Sequence, residues 1–217
     1  ARSEIPSLGP REIQVHAPAQ LPWLVMGYSV PALSQLPANK QWQAYALYLA
    51  AAVLSQGDSS RLTKQLVRDQ QVAISASAHY AIYDLHRTAW VLYGTPSSTV
   101  SCEQLKEKLL QQVKQLQDTL LSTQELERIK TQVLASYVYR QDSYYEQVLA
   151  LGQAEMAGLS WQDAVAFDEH IQAVTPQQIQ FVAAHYLLPN DLTTAVLHPS
   201  KTAPPPSVKP TVSGDLS

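Results

Sequence analysis

Residues 55–70 read SQGDSSRLTKQLVRDQ. Gly57-Asp58-Ser59-Ser60 sits between two stretches of helical periodicity. Upstream, residues 40–55 place Trp42, Tyr45, Leu49 and Val53 on one stripe. Downstream, Leu62, Leu66 and Val67 form a second. Gly57 suits the left-handed position that ends a helix, and Asp58 or Ser59 can then cap the next one. A phosphate-binding loop would need G-x-x-x-x-G-K-[ST] after a strand. Here there is one glycine, no Gly-Lys pair and a helix before the turn. The stretch reads as a helix–helix corner followed by two arginines, Arg61 and Arg68.

Outward from this corner the period changes from helical to two. In residues 73–83 (AISASAHYAIY), Ile74, Ala76, Ala78, Tyr80 and Ile82 share one face, with Ser75, Ser77, His79 and Tyr83 on the other. Such alternation marks a half-buried strand. Residues 87–95 follow a short turn containing Asp84 and complete a hairpin. Strands are also expected at 11–16, 21–30 and 192–197. Three helix starts carry the capping-box pattern, Ser101…Gln104, Ser122…Glu125 and Thr175…Gln178. Pro176 stands at the first helical position, where a missing N–H costs nothing. The predicted fold is α+β, a mostly antiparallel sheet with helices packed on one face.

The chain has 217 residues, 46% of them hydrophobic, enough to bury a sizeable core. A net charge of −3 without basic runs gives no pull toward nucleic acid or anionic membrane. No apolar run is long enough to span a bilayer. Residues 1–10, with Pro6, Gly9 and Pro10, read as a linker, and 11–198 as the domain. Residues 199–217, with five prolines and few large apolar side chains, read as a disordered tail. The chain reads as a piece of something longer.

No self-contained chemistry stands out. H-E-x-x-H and H-x-x-E-H are both absent. The nearest approach, Ala166-Phe167-Asp168-Glu169-His170, has alanine where the first histidine belongs. His79 and His86 flank the hairpin, and His16, His185 and His198 are isolated, so no set of three or four zinc ligands is expected. Cys102 lies at a helix N-terminus, where the dipole can lower a thiol pKa, but no histidine is near it in sequence. Tyr137, Tyr139, Tyr144 and Tyr145 read either as a packing stripe or as an aromatic wall facing a partner.

Three stretches carry a resemblance. They are Leu24-Val25-Met26-Gly27-Tyr28-Ser29-Val30-Pro31, Gly57-Asp58-Ser59-Ser60-Arg61-Leu62 continuing through Leu66-Val67-Arg68-Asp69, and Ala173-Val174-Thr175-Pro176-Gln177-Gln178-Ile179 running on to Tyr186-Leu187. In that order and spacing, over about residues 4–199, they resemble the C-terminal, non-catalytic half of the pitrilysin/insulinase zinc peptidases. That family includes the mitochondrial processing peptidase and bacterial zinc proteases. The resemblance implies two homologous α+β halves closing around a peptide. The N-terminal half carries H-x-x-E-H and zinc, with the motif's glutamate as general base. The C-terminal half has the fold without the ligands and helps hold the substrate.

In this family an arginine after the GxSSRL segment, and a tyrosine six residues later, reach toward substrate. The arginine matches Arg68, whose ordinary role would be a surface cation in a helix's last turn. The tyrosine position holds Ile74, which cannot hydrogen-bond a substrate carbonyl or oxyanion. Gly57, Ser59, Ser60 and Arg61 would be structural. The resemblance therefore implies a metal-free chain with no catalytic residues of its own. Its expected partners are a zinc-binding N-terminal half, on the same or a separate chain, and a peptide; a dimer is also possible. A non-enzymatic scaffold subunit and a peptide-binding module are the alternatives. Bacterial members of this type point to the periplasm, with the cytoplasm as the alternative.

Overall fold

The computed structural model describes residues 9–84, 88–141, 148–149, 152, 155–159 and 166–200. His86, Tyr144, Tyr145 and residues 1–8 and 201–217 lie outside them. The two-residue periodicities build five strands: β1 (Arg11–Pro18), β2 (Trp23–Val30), β3 (Ala73–Tyr80), β4 (Thr88–Pro96) and β5 (Leu192–Ser200). They form one sheet in the order β1-β5-β2-β4-β3. The β2–β4, β2–β5 and β3–β4 pairs are antiparallel. The first and last strands, β1 and β5, pair parallel, Arg11 opposite Thr193 and Ser200 opposite Pro18. A parallel pair needs a long crossover, and here nearly the whole domain supplies it. β5 also outruns the expected 192–197 by taking in Pro199 and Ser200.

The longer helices among the described residues are α1 (Trp42–Ser55), a π-helix (Thr63–Asp69), α2 (Cys102–Asp118), α3 (Thr123–Gln141), α4 (Phe167–Ala173) and α5 (Pro176–Tyr186). Two capping boxes close as the sequence predicts. Gln104 N–H donates to Ser101 Oγ at 3.2 Å, and Gln178 N–H to Thr175 Oγ1 at 3.3 Å. The glutamine side chains reach back to the cap N–H groups, each at 2.9 Å. α1 differs from expectation. It is buried nearly all round rather than along one stripe, because it lies between the sheet and the outer helices α3, α4 and α5.

The core lies between α1, α2, α5 and the face of the sheet carrying Leu24, Met26, Tyr28, Trp90, Leu92 and Val196, all buried. Trp90 is fully buried, and its indole N–H donates to the Leu47 carbonyl of α1 at 3.1 Å. Its ring meets Tyr28 edge-on, centroids 6.3 Å apart. Tyr80 Oη donates to the Pro31 carbonyl at 2.8 Å.

The opposite sheet face carries the alternate residues. Registration aligns Ile13, Ala195, Val25 and Tyr93 in one row and Val15, Leu197 and Trp23 in the next. Ile13, Val15 and Trp23 are 50%, 41% and 45% exposed, so this face remains apolar and open among the described residues.

Candidate functional site

The corner at residues 57–70 begins where α1 ends. Gln56 N–H bonds the Ala52 carbonyl, and Gly57 takes φ +74°. A β-carbon there would meet only Gln132, 3.6 Å away, so the demand for glycine comes from the backbone and not from space. Gly57→Ala is expected to lower stability by about 1–2 kcal/mol, the cost of a left-handed alanine, read by urea unfolding. The next helix starts at neither Asp58 nor Ser59. Both are exposed, and it is the buried Ser60 whose carbonyl takes the first helical bond, from Lys64 N–H at 2.9 Å. Ser60 Oγ donates to Thr63 Oγ1 at 3.0 Å. The cap moves one residue on because the burial of Leu62 and Leu66 sets where the helix enters the core.

Arg61 explains the third capping box. Glu125 N–H still donates to Ser122 Oγ at 3.1 Å. The Glu125 carboxylate, however, accepts Arg61 Nε at 2.9 Å and Nη2 at 2.8 Å. This is a two-pronged ion pair with both side chains mostly shielded, 17% and 24% exposed. The box is half formed because the stronger charge-assisted partner takes the carboxylate. The Arg61 guanidinium, chiefly by hydrogen bonding, holds the Glu125 carboxyl below its ordinary pKa. The corner is thus pinned to the start of α3.

Downstream, the helix widens to π geometry, with Gln70 N–H bonding the Gln65 carbonyl at 3.0 Å. Such turns often occur at functional sites. Arg68 lies in the last turn, 57% exposed, with a loose ion pair to Asp58 at 3.9 Å. Gln71 then takes a left-handed φ of +52°, and the chain enters β3. Ile74 does not share the core face with Ala76, Ala78 and Tyr80 as alternation predicts. Pairing runs Ala73 to Pro96 and then Ser75 to Thr95. Ile74 is therefore the extra residue of a β-bulge, which breaks the period. It is 53% exposed while Ala73 is buried. Arg68, at the end of the π-helix, and Ile74, at the start of β3, are both exposed on either side of the short link between them. An exposed arginine there can contact a peptide carbonyl or carboxylate, whereas Ile74 offers only apolar surface.

The other candidate residues do not converge. Among the described residues, no group of three or more His, Cys, Asp and Glu side chains could hold a metal ion. Phe167 is buried against Tyr45, Tyr48 and Tyr137, and His170 stacks on Tyr45 with centroids 4.6 Å apart. Phe167 therefore anchors this segment in the core, while Asp168, Glu169 and His170 stay exposed. Tyr137 packs while Tyr139 is 80% exposed, so those two do not form a common wall. Cys102 is partly buried, which raises its thiol pKa, opposite to the expected effect of a helix N-terminus. Sequence reasoning missed Glu125 as the partner of Arg61, because its spacing matched a capping box.

The comparisons agree with this geometry. Residues 2–133 match the family described as the peptidase M16 inactive domain. The chain is 27% identical over 203 residues to the zinc protease PqqE of Helicobacter pylori, covering 88% of this chain and 41% of that protein. A crystal structure of a protease from Helicobacter pylori superposes with a TM-score of 0.78 at 22% identity, covering 89% of this chain and 45% of that one. The inactive peptidase domain of a candidate zinc protease from Bordetella parapertussis superposes with a TM-score of 0.72 at 20% identity, covering 87% of this chain and 98% of that one. The chain therefore spans less than half the length of the curated relative it matches. An α+β domain with an open sheet face, matched by this family over residues 2–133, belongs to the M16 peptidases as an inactive domain.

Proposed function

We propose that this chain is the non-catalytic half of a zinc-dependent metalloendopeptidase. It closes the cleft and helps hold the peptide while the zinc chemistry resides in an N-terminal half. The observation that carries the reading is the inactive-domain fold on a chain covering only 41–45% of the proteases it resembles. The described residues hold no metal-ligand cluster, and no step of the hydrolysis is assigned to their side chains. The apolar rows around Ile13, Val15 and Trp23 offer a surface against which another half can pack. Arg68 is the proposed peptide contact. We place the protein in the periplasm, which cell fractionation tests directly.

The deciding assay combines this chain, the N-terminal half and their mixture, with fluorogenic peptides and zinc analysis. Only the mixture is expected to cleave, with zinc in the N-terminal half. Arg68→Ala is expected to lower kcat/KM about tenfold, or ~1.4 kcal/mol, as for the loss of one exposed charge-assisted contact. Stoichiometric zinc and cleavage by this chain alone would overturn the assignment. Ile74 favours a second reading, a scaffold or assembly subunit, because the substrate-facing hydroxyl of the family is missing there. That reading leads if no combination cleaves although the halves associate.

A further inference from the structure

Beside the Arg61–Glu125 pair lies a polar hollow of about 500 Å³, lined by Ser59, Arg61, Lys64, Gln65, Gln115, Thr119, Glu125 and Arg128. Three basic side chains meet one carboxylate there, and that carboxylate is already committed to Arg61. Arg61 spends Nε and Nη2 on Glu125, which leaves Nη1 without a hydrogen bond among the described residues. Among the described residues Lys64 and Arg128 close no ion pair, although Arg128 lies close enough to help lower the Glu125 pKa. A chain of net charge −3 therefore gathers three cations and a single carboxylate around one concavity. Hydroxyls of Ser59 and Thr119 and amides of Gln65 and Gln115 add neutral donors. The volume lies within the range of small-molecule sites.

We infer that this hollow binds a small molecule bearing a multiply charged oxyanion, either a phosphate ester or a polycarboxylate. Lys64 and Arg128 supply the charge, and Arg61, held rigid by Glu125, supplies a directed N–H. The pinned guanidinium loses little conformational freedom on binding, which favours affinity. Arg68 is not among the lining residues, and the proposal does not depend on the protease reading.

The test is an amide-resolved NMR titration of this chain with inorganic phosphate and, separately, with citrate. Sodium chloride at matched ionic strength is the control. Saturable shifts at residues 59–65, 115–119 and 125–128 are expected for at least one anion. The double variant Lys64→Gln/Arg128→Gln is expected to weaken binding at least tenfold. Both residues are exposed, so its melting temperature should stay unchanged; Arg61 is left intact because it holds α3. Saturation by phosphate alone identifies a phosphate ester, and by citrate alone a polycarboxylate. Shifts equal to those in sodium chloride, or unchanged affinity in the double variant, would overturn the proposal.

Discussion

Trp90→Ala is expected to lower unfolding stability by about 3–5 kcal/mol, the usual range for emptying a buried large aromatic site. For a domain of this size that is a fall in Tm of roughly 6–20 °C. Trp90 is fully buried, ties β4 to α1 through the Leu47 carbonyl and packs edge-on against Tyr28. The alanine variant loses apolar burial, an indole hydrogen bond and an aromatic pair at once. Trp90→Phe separates these contributions. It keeps most of the ring and should cost about 1–3 kcal/mol, near the penalty for a buried group left without its partner. Urea unfolding by circular dichroism measures both. A cost below 1 kcal/mol for Trp90→Ala would mean that the β4–α1 junction is not the centre of the core.

Arg61→Ala is expected to cost about 1.5–3 kcal/mol, since hydrogen bonds to charged groups contribute at that level and both partners are largely shielded. A double-mutant cycle with Glu125→Gln should return a coupling of about 1 kcal/mol or more, whereas an exposed pair gives less. The pH dependence has a definite sign. The Glu125 carboxyl is depressed in the folded state by Arg61. Its contribution is therefore complete above the ordinary glutamate pKa, near 4.5, and is lost as pH falls through the lower folded value. The stability gap between wild type and Arg61→Ala should be constant near neutrality and shrink below about pH 4.5. A gap that persists at low pH would assign the cost of Arg61→Ala to packing of its aliphatic stem.

The two effects sit at different places in the fold. Trp90 fixes the sheet to α1, whereas Arg61 fixes the corner to α3. Neither touches Arg68, so both variants can be checked for peptide cleavage in the mixed halves without altering the proposed contact. A destabilised but folded Arg61→Ala chain that still supports cleavage would separate the structural arginine of the corner from the functional one.

The sequence by itself determined the element types, two of the three caps, the left-handed glycine and the absence of the H-x-x-E-H motif. These are local properties, set by side-chain periodicity, by hydroxyls at helix starts and by the φ that only glycine adopts freely. The three matched stretches also identified the family. Tertiary structure alone decided the rest, because each remaining feature depends on groups far apart in the chain. Glu125 leaves its capping box because Arg61, 64 residues earlier, binds it more strongly. Ile74 leaves the core face because β3 must bulge to keep register with β4. The parallel β1–β5 pair joins the first and last strands of the sheet in chain order. The charged hollow appears only where the corner, α2 and α3 meet, because no local spacing brings Lys64 and Arg128 together.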